Sequence, residues 1–150
     1  MENIFDRNVS SEIINRINNL NSNSPALWGK MNVGQAMAHC CVTYEMVYDN
    51  KHSKPNTLMR FLLKLFVKDG VVNENSYKKN IRTAPIFLMI KEKDFESEKK
   101  RLINYIQRTQ ELGEGYFDGK ESHSFGPLNI KQWSAMFYKH LDHHLSQFGV

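Results

Sequence analysis

No stretch of this sequence approaches the eighteen or so consecutive apolar residues that a membrane-crossing helix needs. The N-terminal MENIFDRN has no basic flank followed by an apolar segment, so no signal peptide is expected. There are two cysteines, Cys40 and Cys41, and neighbours in sequence do not bridge one another readily. Without a disulfide framework the expected setting is reducing and cytoplasmic. Internal repeats and low-complexity tracts are also missing. The net charge of +4 invites a nucleic-acid partner. Yet acids interrupt the basic residues in Lys91-Glu92-Lys93-Asp94 and again from Glu96 to Arg101. No basic stripe interleaved with aromatics is left for a groove, so nucleic acid is not the expected partner and stands as an alternative suggested by charge alone.

What is there fits one domain spanning residues 1–150, with 41% hydrophobic and 24% charged residues, enough to bury a core. Ile13, Ile14, Ile17 and Leu20 recur at helical spacing over residues 10–20, with Ser10 or Ser11 as N-cap. Trp28 follows in a loop and is expected to pack back onto the helices. Asn32 and Gln35 have capping-box spacing and open a helix reaching about Tyr48, with Val33, Met37, Cys40, Tyr44 and Val47 on its buried stripe. Thr57 begins a short helix, LMRFLLKLFV, read as mostly buried or as the cover of a pocket. Arg60 and Lys64 give it a cationic face too narrow for a membrane-surface helix, so no membrane partner is expected. Residues 68–93 show no usable periodicity, and Ile86–Ile90 reads as an extended segment outside any sheet. Helical spacing returns from Asp94 to Leu112 through Phe95, Leu102, Ile103 and Ile106, closing at Gly113. Residues 115–128 read as the final loop.

The last helix, opened by a second Asn-x-x-Gln box at Asn129 and Gln132, carries the most information. Ile130, Trp133, Phe137, Leu141, Leu145 and Phe148 form one apolar stripe at about 100° per residue. His140 and His144, four apart, lie along its edge, whereas Lys139, Asp142 and His143 fall on the solvent side. Such a pair puts two imidazole nitrogens within reach of one ion, although surface histidines also occur at this spacing. His39 lies beside Ala36 and Thr43, whose small side chains leave room around the ring. It is the natural third ligand, leaving a position open for water or substrate. Gln147, three residues after His144, is placed to orient a ligand. No Glu or Asp shares the histidine face: Glu45 and Asp142 point elsewhere. Cys40 and Cys41 read as core thiols and His52 as a loop residue. Four longer helices and a short extra one give an all-α, antiparallel four-helix bundle with a long central connection.

Met31–His39 (MNVGQAMAH) resembles the second-helix signature of the DinB/YfiT-like superfamily of metalloenzymes. Trp133–Val150 resembles the last helix of an uncharacterised branch, with Ser122–Leu128 as its lead-in and Ser124 where proline is usual. The resemblance implies an up-down-down-up bundle and a divalent transition metal, zinc or nickel, on His39, His140 and His144. It also implies a small-molecule substrate and, among the activities of the superfamily, transfer to a low-molecular-weight thiol or hydrolysis. Tyr44 and His123 are the candidates for proton transfer. The alternative is a bundle that binds a small ligand without turnover. A homodimer through an exposed helix face is compatible with a bundle of this size.

Overall fold

Two capping boxes fix where the second and last helices begin. Asn32 Oδ1 accepts from the Gln35 amide while Gln35 Oε1 accepts from the Asn32 amide, and Asn129 and Gln132 repeat the pair. Each box satisfies two amide donors that a helix start otherwise leaves free. In the computed structural model, which describes residues 1–49 and 51–150, these helices are α2 (Val33–Tyr48) and α6 (Ile130–Gln147). The others are α1 (Arg7–Asn18), α3 (Thr57–Phe66), α4 (Lys68–Val72) and α5 (Phe95–Phe117). Pro85–Phe87 makes one 3-10 turn, and β1 (Glu121–Ser122) pairs antiparallel with β2 (Gly126–Pro127). The protein is thus mostly helical, with one small β-ribbon inside the loop before α6.

The helix stripes meet as their spacing predicts. Ile13 and Ile17 of α1, Met37 and Tyr44 of α2, Leu102 and Ile106 of α5, and Trp133, Phe137 and Leu141 of α6 are all buried in one core. Aromatic rings run through it as a ladder: Tyr105 stacks on Tyr44 at 5.6 Å, Tyr44 on Phe137 at 4.8 Å and Phe137 on Trp133 at 5.5 Å. Beside it, the buried Glu45 carboxylate meets Arg101 from α5 and, at 2.6 Å, His52.

Several expectations need correcting. The first helix starts earlier than residue 10, because Asp6 rather than a serine caps it by accepting from the Asn8 amide. Gly113 does break α5, at φ +67°, but the chain resumes for one more turn because Phe117 is drawn into the core. Lys139 is not on the solvent side: its Nζ is buried and donates to the Gly70 and Asn73 carbonyls at 3.0 and 2.7 Å. The cause is α4, which packs over that flank of α6. The short helix α3 is a cover rather than a buried element. Leu63 meets the cavity described below, while none of its residues is buried.

Candidate metal centre

α2 contributes one histidine and α6 two, and the fold brings the three together. Ring centroids of His39, His140 and His144 form a near-equilateral triangle with sides of 4.5, 4.9 and 5.0 Å. One nitrogen from each lies within 4.8 Å of the other two. His39 and His144 are buried and His140 is half-buried, facing the cavity. This is the one such cluster of three or more ligating side chains among the described residues.

The hydrogen bonds of the outer nitrogens decide what the inner ones can do. His39 Nδ1 lies 2.9 Å from the Phe87 carbonyl, which can only accept, so Nδ1 carries the proton. His144 Nδ1 lies 2.9 Å from Gln147 Oε1, another acceptor, and Gln147 Nε2 donates to the Trp28 carbonyl at 2.7 Å. That second bond fixes which end of the amide faces the imidazole. His140 Nδ1 lies 2.9 Å from the Thr43 hydroxyl, which accepts when the ring adopts the same tautomer. In that tautomer Nε2 is the nitrogen that keeps a free lone pair on each of the three rings, the donor set a divalent metal requires. Gly29 is part of the arrangement: at φ +83° it passes so close to Gln147 Nε2 that a Cβ would collide with it.

Electrostatics agree. Burial lowers the pKa of His39, against the pull of the Phe87 carbonyl. Burial, then the proximity of His39 and His144, pushes His140 well below the usual histidine range. Burial and His39 bring His144 down to about 3. All three rings are therefore neutral at neutral pH, the form that ligates metal.

The triangle opens into a cavity of about 1120 Å³. Its walls are largely apolar, with Met46 and Val47 from α2, Leu63 from α3, Phe125 before β2 and Met136 from α6. No Asp or Glu lines it among the described residues, as the sequence suggested. Trp133 is on the wall, and its buried Nε1–H has no acceptor among the described residues.

The other candidate residues divide. His123 is on the cavity wall, with Nδ1 3.0 Å from the Ser124 hydroxyl and Nε2 3.4 Å from the His52 carbonyl. Burial lowers its pKa, against the pull of the His52 carbonyl. Tyr44 is not in the site. Its hydroxyl is buried in the aromatic ladder, has no hydrogen-bond partner among the described residues, and does not line the cavity. Burial raises its pKa well above the usual phenol value. A tyrosine on the core stripe of α2 cannot also face the flank that carries His39. His143 is half-buried rather than exposed, edge-on to Trp28 and Tyr77. Cys40 and Cys41 are buried free thiols, and burial pushes Cys41 up to about 12.

Sequence reasoning missed two supports of the site. Thr43 was visible only as a small neighbour of His39, and the Phe87 carbonyl comes from the stretch without periodicity. A family model covers residues 6–149, so α2, α6 and the connection between them all fall within the match. The chain belongs to the DUF1569 family. Its description is a protein of unknown function. No curated protein and no solved structure matches the chain. The family description carries no activity.

Proposed function

We propose that this DUF1569 protein is a metal-dependent enzyme in which His39, His140 and His144 hold one divalent transition metal, zinc or nickel. The observation that carries the reading is the cluster itself, one nitrogen from each ring within 4.8 Å of the other two. The Phe87 carbonyl and Gln147 Oε1 hold protons on Nδ1 of His39 and His144, and Thr43 is placed to do so on His140. Three protein ligands leave a position open for a small molecule. When bound, such a cation lowers the pKa of water or a thiol and makes a nucleophile available near neutral pH.

The chain's own groups define the rest. Gln147, Thr43 and the Phe87 carbonyl hold the rings in place. The apolar walls bind the body of a small substrate and limit access of water. His123, neutral on the wall, is placed to accept or pass on a proton. No Asp or Glu lines the cavity among the described residues, so no glutamate base of the protease kind is at hand, which favours transfer to a low-molecular-weight thiol over peptide-type hydrolysis. We read the architecture as a single DinB/YfiT-like four-helix bundle of α1, α2, α5 and α6. Support comes from the long connection between α2 and α5, and from one histidine on the second of these helices and two on the last.

The test is turnover of small electrophiles with added thiols, and of small esters, by protein incubated with zinc or nickel. His39→Ala should lose at least about a hundredfold in rate, the order that removing a key interaction of the reacting site costs. Tyr44→Phe should turn over like wild type, because its hydroxyl is outside the cavity. Turnover indifferent to His39→Ala would contradict the proposal. Tight binding of small apolar molecules without turnover would make the cavity a binding site only, the reading that its acid-free lining also accommodates.

A further inference from the structure

We propose that α3 is an interfacial helix that seats the protein on an anionic lipid bilayer. Its outer face is uncovered: Phe66 is 75% exposed, Leu58 69%, and Phe61 and Leu65 each 61%. At about 100° per residue, Leu63 and Arg60 turn inward, Leu63 to the cavity and Arg60 to Glu121 at 2.9 Å. The opposite arc, Phe61, Leu65, Leu58 and Leu62, contains no polar residue. Single exposed apolar side chains are ordinary, but a contiguous patch of large ones marks an interaction surface.

Charge says what kind of surface it meets. Residues 51–93, the connection that carries α3, hold ten Lys and Arg against three Asp and Glu. The whole chain has 20 against 16, so the entire positive excess lies in this connection. Arg60 is engaged with Glu121, but Lys64 stands beside the apolar arc and Lys68 follows four residues later at the start of α4. Arg60 and Lys64 alone make too narrow a cationic face, but Lys68 and the other basic residues of the connection supply the breadth. An apolar face flanked by lysines is the pattern of a helix lying in the headgroup layer of an anionic membrane. A second copy of the chain fits less well. A two-fold interface through α3 would set each cationic connection against its own duplicate. No helix among the described residues is long and apolar enough to cross a membrane, and an in-plane helix needs no such length. The inner edge of α3 and the adjoining Val67 and Val71 wall the cavity above the histidines, so docking would bring that wall to the lipid. The inference rests on the outer face and stands whether or not the histidines hold metal.

The test is flotation of the full chain with vesicles of phosphatidylcholine alone and of phosphatidylcholine mixed with phosphatidylglycerol, at low and high salt. Binding is expected to the anionic vesicles at low salt, to weaken with salt, and to be slight on phosphatidylcholine alone. Phe61→Ser/Leu65→Ser should reduce partitioning by at least about tenfold, and Lys64→Gln/Lys68→Gln by roughly fivefold per cation removed. Circular dichroism and unfolding temperature should not change, because these side chains are not buried. Failure to bind anionic vesicles at low salt would overturn the proposal, as would undiminished binding by the serine variant. A concentration-dependent dimer that the serine variant dissolves, without vesicle binding, would assign the face to a second copy instead.

Discussion

Replacing Gln147 with leucine should weaken zinc or nickel affinity by about 10- to 100-fold, the usual effect of removing the group that orients a ligating imidazole. Leucine takes away the Oε1 acceptor that holds the proton on His144 Nδ1, and it leaves the Trp28 carbonyl without its donor. The ring is then free to rotate or to change tautomer, and the lone pair on Nε2 is no longer fixed toward His39 and His140. Gln147→Glu keeps an acceptor for Nδ1 and should retain more of the affinity. Competition with a chromophoric chelator measures both. Equal affinities for wild type and the leucine variant would remove Gln147 from the site. Far-ultraviolet circular dichroism separates this local effect from loss of the helix.

Glu45→Gln should destabilise the fold by roughly 1–2 kcal/mol at neutral pH, because it removes one of the two carboxylates that Arg101 meets and leaves Glu98 as the other. The cost lies below that of breaking a fully buried pair because Arg101 is about a third exposed and keeps Glu98. Burial raises the pKa of Glu45, but hydrogen bonds from His52 and Arg101, and the charges of Arg101 and Lys51, outweigh it and hold the carboxyl below its usual value. The unfolded chain therefore takes up this proton at higher pH than the folded protein does. The stabilisation is complete above the ordinary glutamate range, about 4.3, and is lost as pH falls through the depressed folded value. In urea unfolding the gap between wild type and variant should be widest near neutral pH and close in acid. A gap independent of pH would mean that packing, not charge, makes the contribution.

The parts legible in the sequence were those governed by local chemistry. The stripe from Trp133 to Leu145, the boxes at Asn32 and Asn129, and the position of His140 and His144 at the stripe's edge depend on spacing along one helix, which 3.6 residues per turn fixes. His39 was legible for the same reason, since its neighbours Ala36 and Thr43 are small. Illegible features depended on what packs against a helix from elsewhere. Lys139 reads as a surface lysine until α4 places the Gly70 and Asn73 carbonyls over it. Tyr44 offers a suitable proton-transfer group until Tyr105 and Phe137 close on its ring. The Phe87 carbonyl has no side-chain signature at all, because a backbone acceptor can come from any residue. The apolar run in α3 gave its helix but not its partner, as a helix apolar on nearly every side reads the same whether its cover is protein or something else.

Metal content is the measurement that tests the three-histidine centre most directly. Elemental mass spectrometry would be run on untagged protein, as isolated and after incubation with zinc or nickel, for wild type and for His140→Ala/His144→Ala. The account predicts about one equivalent of a divalent transition metal in wild type and its loss in the double variant, with the helical content of both unchanged. Wild-type protein that stays empty after incubation, or a double variant that keeps its metal, would contradict it.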